Sequence, residues 1–179
     1  MMLSRGGTFL LVLLICSSFA FGATRRKTKA VYCTRAENGD WRLQRFEPLI
    51  NLRSKMVFAE ISFAGNIVES ARLRRFYPDH EVVFEYKFDS AGRLTGLLGS
   101  VDVWSQWLGE ADLYPEADGT VGTVHVKYYR ASSRDQIGRP EEAEGYTAEL
   151  SNVPIYRTPE SLPCGGSLQE AEKMNATQE

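Results

Sequence analysis

The feature that most constrains the fold is a period of two in the apolar residues, repeated between turn signals. Along 81–88, Val82, Phe84, Tyr86 and Phe88 fall on one side of an extended chain, and mostly charged residues fall on the other. Successive side chains of a β-strand point to opposite faces, so this alternation predicts a strand with one buried face. Similar patterns predict strands at 54–63 and 121–130, and weaker ones at 41–47, 94–103, 107–114 and 146–151.

The stretch 67–77 has apolar spacings that fit either a helix or a strand. A two-residue turn at Pro78-Asp79 favours the strand, because it aligns apolar residues on one face and opposite charges on the other. We therefore predict a hairpin between 67–77 and 80–88. The pairs that this turn aligns are Leu73 with Phe84, Ala71 with Tyr86 and Arg72 with Glu85.

A second hairpin is predicted around Asp89-Ser90-Ala91-Gly92. Asp at the first position of a type I turn, followed by Gly where a left-handed conformation ends the turn, is typical of a bulged hairpin loop, so Gly92 should have a positive φ. The stretch 86–95 also resembles one YD-type repeat of large secreted β-shell proteins, and this resemblance implies a hairpin at the same place. The predicted pairs are Phe88 with Leu94, Tyr86 with Gly96 and Phe84 with Leu98.

Short strands between frequent turns, without alternating helices, predict an all-β fold. We expect one antiparallel meander over 31–157 that closes into a barrel or folds into a sandwich. The remaining 158–179 form a tail, in which Ser167 and Glu170 make a capping box that predicts a short C-terminal helix to about Met174.

The N-terminus predicts export. An apolar run from Phe9 to Cys16 follows Arg5, and Ala20 and Gly22 are small residues placed for cleavage after Gly22. The run is too short for a membrane span of about 20 residues, and no later segment competes, so we expect no transmembrane segment in the mature chain. Residues 1–22 are thus a predicted signal peptide and 23–30 a disordered basic leader, with the product in the periplasm or the medium.

Cleavage at this point leaves Cys33 and Cys164 as the two cysteines of the mature chain. Two cysteines in an oxidising compartment permit one intramolecular pairing. We therefore predict a Cys33–Cys164 disulfide between the start and the end of the fold.

Composition and motifs exclude several functions. The 21 Lys+Arg against 23 Asp+Glu give a net charge of −2, so no basic field exists to attract nucleic acid. No P-loop, G-x-S-x-G or G-x-G-x-x-G sequence occurs, and we predict no cofactor. His80-Glu81 begins like the zinc-protease H-E-x-x-H, but Phe84 occupies the second histidine position, so we predict no metal site.

A ligand-binding surface is the more open question. Trp104, Trp107, Tyr114 and Tyr128 are candidate ligand-binding residues, because aromatic rings stack on sugars or fill a partner's pocket. Core packing is the default explanation for the same rings. The leading hypothesis is an exported, non-enzymatic β-domain protein that acts in binding or envelope assembly, with a protein, a sugar or an apolar small molecule as its partner.

Two alternatives remain. Gly39-Asp40-Trp41 resembles the lipocalin G-x-W at the opening strand, which implies a small apolar ligand carried in a barrel. Asp102, Glu110 and Asp112 lie close in sequence to Trp104 and Trp107, and paired carboxylates beside aromatic rings are used by glycosidases. A carbohydrate-active enzyme is therefore the second alternative, although we find no catalytic signature.

Overall fold

Nine antiparallel strands form one sheet in the computed structural model, which describes residues 29–44, 46–50, 55–116 and 120–166. The sheet order is β2-β1-β3-β4-β5-β6-β7-β8-β9, a meander in which only β1 and β2 depart from chain order. The strands are β1 (Lys29–Arg35), β2 (Trp41–Gln44), β3 (Met56–Ala64), β4 (Ile67–Phe76), β5 (His80–Phe88), β6 (Leu94–Val103), β7 (Trp107–Pro115), β8 (Val121–Arg130) and β9 (Gln136–Ile137).

The predicted all-β antiparallel meander is confirmed, but the sheet does not close into a barrel, since β2 and β9 are its two edge strands. Gly39 of the lipocalin-like motif lies in the β1–β2 turn with a φ of 91°, and Trp41 begins the edge strand β2. β1 begins at Lys29, so the last two residues of the predicted leader 23–30 already belong to the sheet. The predicted signal peptide 1–22 lies outside the described residues.

The predicted β4–β5 register is confirmed on both faces. Leu73 pairs with Phe84 and Arg72 pairs with Glu85. The Tyr77 N–H donates to the His80 carbonyl at 2.9 Å, which closes the two-residue turn.

The predicted β5–β6 register is wrong beyond its first pair. Phe88 does face Leu94, and Gly92 has a φ of 74°, as expected. Thr95 is then an extra residue, because Lys87 pairs with Gly96, and this bulge shifts every later pair by one. Tyr86 consequently faces Leu97 instead of Gly96, and Phe84 faces Gly99 instead of Leu98.

The strand predicted at 146–151 is also wrong. Helix α1 (Ala143–Thr147) continues into a 3-10 helix at Ala148–Asn152. Ala143 and Leu150 are both buried, and their seven-residue separation is a helical repeat that places both side chains on one side. The predicted helix from Ser167 to Met174 lies outside the described residues.

Residues 141–166, which we call the C-terminal segment, cover one face of the sheet, the inner face. The Tyr86 hydroxyl on β5 donates to the Pro154 carbonyl at 2.7 Å, and Leu150 packs so closely over Gly99 that a Cβ there would lie 2.9 Å from its Cδ2. The predicted disulfide is confirmed: Cys164 is bonded to Cys33 of β1. Four buried residues of the segment belong to the core, namely Ala143, Leu150, Val153 and Leu162.

Candidate functional site

The inner face holds two of the four aromatic residues predicted to bind a ligand. Trp107 and Tyr128 are buried, with their ring centroids 5.7 Å apart in an edge-to-face pair. The Trp107 indole donates to Glu142 of the C-terminal segment at 2.8 Å. This packing uses the rings to hold the segment on the sheet, as the core explanation expects.

The other two predicted rings lie apart from this pair. Trp104 is half-buried in the turn between β6 and β7, next to Ser105, whose φ is 63°. Tyr114 is 53% exposed and lies at the far end of β7, on the opposite face of the sheet, the outer face. The four rings therefore do not share one surface.

The outer face carries a depression across β5 to β8, which we call the outer groove; it encloses about 300 Å³. Because side chains alternate between the two faces of a strand, those on the outer face line this groove in rows that run across the strands. One such row is formed by the paired residues Val83, Ser100, Glu110 and Lys127. The polar residues that line it are Glu85, Ser100, Glu110, Asp112, His125 and Lys127, together with Tyr129.

Charges of both signs lie in and around the outer groove. Glu85 is 3.6 Å from the Arg72 guanidinium, and Glu110 is 3.8 Å from Arg134. Asp102 is one outer row beyond Glu110, and burial raises the pKa of its carboxyl while Arg134 opposes that shift. The groove can therefore donate and accept charged hydrogen bonds along its length.

A second depression, the β6–β7 cleft, continues from the outer groove. Both depressions include Leu98 and Asp112, which are also the last pair of the β6–β7 ladder. Beyond this pair the strands separate, so 94–97 of β6 and 113–115 of β7 have no pairing with each other. The cleft between them encloses about 500 Å³.

The β6–β7 cleft has an apolar lower part, two arginines at its rim, and Asp112 where it joins the outer groove. Leu97 and Leu113, both buried, lie at the inner side of the separated strands. Arg93 and Arg157 line the cleft with Tyr114. Arg157 belongs to the C-terminal segment, and its Nη2 donates to the Glu116 carbonyl at 3.1 Å.

The outer face of β3 and β4 is built differently and limits the groove on that side. The Arg74 guanidinium lies over the rings of Phe58 and Phe76, 5.3 and 4.8 Å from their centroids. Its Nε donates to Glu81 at 2.6 Å. This arginine covers two rings that would otherwise be apolar surface.

The three carboxylates considered for carbohydrate chemistry share the outer face of β6 and β7. Glu110 and Asp112 line the outer groove, whereas Asp102 is not among its lining residues. Glu110 and Asp112 are two residues apart on one strand, which corresponds to about 7 Å between their Cα atoms. These acids were therefore predicted from the sequence. Their proximity to Glu85, His125 and Lys127 depends on the strand register, which no local sequence pattern reveals.

His80 is the first residue of β5 and is buried. Its ring stacks on Tyr77 at 4.3 Å, and its Nδ1 lies 2.7 Å from Asp79 Oδ1. The hydrogen bond from His80 holds the pKa of Asp79 below its ordinary value. Tyr146 and His80 form an edge-to-face pair with their ring centroids 4.9 Å apart, so this cluster holds α1 on the sheet.

No three His, Cys, Asp or Glu side chains converge on a common point in the part of the chain that the structure describes. None of the helices described there is long and apolar enough to cross a membrane. No family model matches this chain, and no curated protein and no solved structure matches it.

Proposed function

We propose that this chain is an exported, non-enzymatic protein that binds a partner through the outer groove and the adjoining β6–β7 cleft. The observation that carries the proposal is the contrast between the two faces: the C-terminal segment fills the inner one, while the outer one has a continuous depression. Ligand sites are concave and combine apolar walls with a few placed polar groups, which is the composition of this depression.

Export is part of the proposal. The apolar run ending at Cys16 and the small residues Ala20 and Gly22 support a cleaved signal peptide. The disulfide between Cys33 and Cys164 supports an oxidising compartment. N-terminal sequencing of the protein recovered from the periplasm or the medium should find Ala23 first, and an uncleaved Met1 form there would contradict export by this route.

An apolar-ligand carrier has less support. Such a carrier needs an enclosed apolar space, but the outer groove and the β6–β7 cleft are both lined by charged residues. The inner face, where a barrel would hold its ligand, is occupied by Leu150, Val153 and Leu162. A lipid that copurifies with the protein in stoichiometric amount would reverse this ranking.

A carbohydrate-active site is the second candidate, because Glu110 and Asp112 lie in the groove with Tyr129. Hydrolysis needs one carboxyl as an acid and the other as a base or nucleophile. If the protein only binds, the parent protein and its Glu110→Gln and Asp112→Asn variants should all lack turnover of a polysaccharide, whatever these substitutions do to the affinity. Loss of turnover in a normally folded variant, with binding retained, would establish catalysis instead.

The binding role is tested by blocking the groove. Ser100 lies mid-groove between Val83 and Glu110, and Ser70 is an equally half-buried outer-face serine that lines neither depression. The protein, purified after export from its full-length precursor, is applied to an array of polysaccharides and an array of random decapeptides. Because the proposed partner occupies the outer groove together with the adjoining cleft, Ser100→Trp should abolish saturable binding, and Ser70→Trp should retain it. Equal binding by both variants, or no saturable binding on either array, would contradict the proposal.

A further inference from the structure

We propose that the partner enters the β6–β7 cleft as an extended polypeptide segment, which adds backbone hydrogen bonds to the separated strands and places an acidic side chain at Arg157. This inference rests on the proposed function and names the class of partner. Three features support it: the backbone geometry of the cleft, the side chains that alternate between its inner and outer sides, and the charges at its rim.

The ladder between β6 and β7 stops before the two strands end. β6 has ten residues and β7 has nine, but their ladder covers only the six positions from Leu98–Asp112 to Val103–Trp107. Alternate residues of a strand direct N–H and C=O groups to the same side, so about half of 94–97 and of 113–115 present these groups to the cleft. Unpaired groups of this kind are the template that an added strand uses.

The length of the open stretch suits a peptide. Four residues of β6 extend over about 13 Å, which accommodates a strand of four residues. On the β5 side, β6 remains paired, since Leu97 faces Tyr86 and Gly96 faces Lys87. β7 likewise remains paired with β8 through Leu113–Thr123 and Tyr114–Gly122. The two walls are therefore anchored from behind, and only their facing edges are open.

The side chains around the cleft alternate between the inner and the outer side of the sheet, which matches the alternation of side chains along an added strand. Leu97 and Leu113 are buried on the inner side, whereas Tyr114 and Gly96 are on the outer side. An inserted segment would direct one set of side chains to the leucines and the other to Tyr114. The absence of a side chain at Gly96 leaves the outer side open for them.

The rim supplies a charge preference. Arg93 is already paired, because its Nη2 is 2.8 Å from Asp89 Oδ2. Arg157 donates to the Glu116 carbonyl, a contact that occupies one of the five N–H donors of its guanidinium. An acidic side chain of the segment fits Arg157, because a carboxylate accepts two parallel hydrogen bonds from a guanidinium.

The first test needs no partner. Hydrogen exchange of the free protein should show alternate amides among 94–97 and 113–114 exchanging about 100-fold faster than the paired amides of 98–103. Protection of the open stretch to the level of 98–103 would mean that the strands are paired in solution, and the inference would fail.

The second test uses the random decapeptide array with two matched variants. Among the described residues, a Cβ at Gly96 would meet only Lys87, at 3.8 Å, so Gly96→Val fits the fold while narrowing the cleft. Gly138→Val is the control, because no atom of the described residues lies within 4 Å of its added Cβ. Peptide affinity should fall about tenfold or more in Gly96→Val and stay unchanged in Gly138→Val. Arg157→Gln should remove any preference for acidic peptides.

The outcomes separate this inference from the proposed function. Peptide binding that protects 94–97 from exchange and is lost in Gly96→Val supports both. Peptide binding equal in Gly96→Val and Gly138→Val, or polysaccharide binding that Ser100→Trp abolishes without any peptide binding, overturns the inference and leaves the groove proposal standing. Binding to neither array overturns both.

Discussion

The two faces of the sheet put the same kind of residue to different uses, as two glycines of β6 show. Gly99 is on the inner face, where an added Cβ would lie 2.8 Å from Leu113 and 2.9 Å from Leu150. Gly96 is on the outer face, where the nearest atom to an added Cβ is 3.8 Å away. One glycine admits the C-terminal segment, and the other leaves a cleft open.

This difference suggests that stability resides on the inner face and recognition on the outer face. Inner substitutions should change the free energy of unfolding, whereas substitutions in the outer groove and the β6–β7 cleft should change binding with little effect on folding.

The largest effect is expected from the bond that ties the C-terminal segment to β1. Replacing both Cys33 and Cys164 by Ser should lower the free energy of unfolding by about 2–5 kcal/mol, because the bond closes a loop of 131 residues and restricts the unfolded chain. Urea unfolding of the double variant beside the oxidised protein measures the difference. A loss under about 1 kcal/mol would show that the segment stays in place by packing alone.

The glycine pair gives the next largest effect. Gly99→Val should cost about 1–3 kcal/mol, because its side chain overpacks against Leu113 and Leu150. Gly96→Val should stay within about 0.5 kcal/mol of the parent, as surface substitutions usually do. Both are measured by denaturant unfolding. Equal losses in the two variants would mean that the faces of β6 have been assigned the wrong way round.

The turn that leads into β6 should come third. Gly92 has a φ of 74°, and an added Cβ would lie 3.3 Å from Pro159 of the C-terminal segment. Gly92→Val should therefore cost about 1–2 kcal/mol, since a β-branched residue is strained in this conformation. Ser90→Ala in the same turn is the control and should cost only a few tenths of a kcal/mol. Matching small losses would contradict the turn geometry.

The buried hydroxyl of Tyr86 should have a smaller effect. Tyr86→Phe removes the 2.7 Å hydrogen bond to Pro154 while keeping the ring contact with Tyr156, and we expect a loss of about 1 kcal/mol. Burial raises the pKa of the Tyr86 hydroxyl, which fits a group held away from water. Tyr129→Phe on the outer face is the counterpart and should change stability by under about 0.5 kcal/mol.

The success and the failure of the sequence predictions divide between two hairpins. The β4–β5 register followed from local information, because a two-residue turn leaves one alignment and Arg72–Glu85 agrees with Leu73–Phe84. The β5–β6 register did not follow from local information, because no feature of the sequence indicates a bulge at Thr95. Its hydroxyl donates to the Lys87 carbonyl at 3.1 Å, a contact that exists only once the strands have paired. The sequence did indicate which residues of β6 lie on the inner face, because the apolar residues Val101 and Val103 alternate with the polar residues Ser100 and Asp102.

The site was predictable only in pieces. Glu110, Asp112 and Tyr114 were singled out from the sequence, and all three line the outer depressions. The cleft itself depends on where the β6–β7 ladder stops, and Arg157 reaches it from 45 residues beyond Asp112 through the packing of the C-terminal segment. Such long-range packing leaves no periodic trace in the chain. The helical stretch 143–152 did leave a pattern, in the seven-residue spacing of Ala143 and Leu150.

The smallest effect is expected at the one cross-strand ion pair that the sequence predicted. Arg72 and Glu85 lie 3.6 Å apart, but their side chains are 53% and 29% exposed. Water and salt screen such a pair, so Arg72→Ala should lower the free energy of unfolding by at most about 0.5 kcal/mol, and less still in 1 M NaCl. Glu85 also lines the outer groove, so the freed carboxylate should make the groove more attractive to cationic ligands. A loss above about 1 kcal/mol that persists in high salt would place structural stability on the outer face and break the division between the two faces.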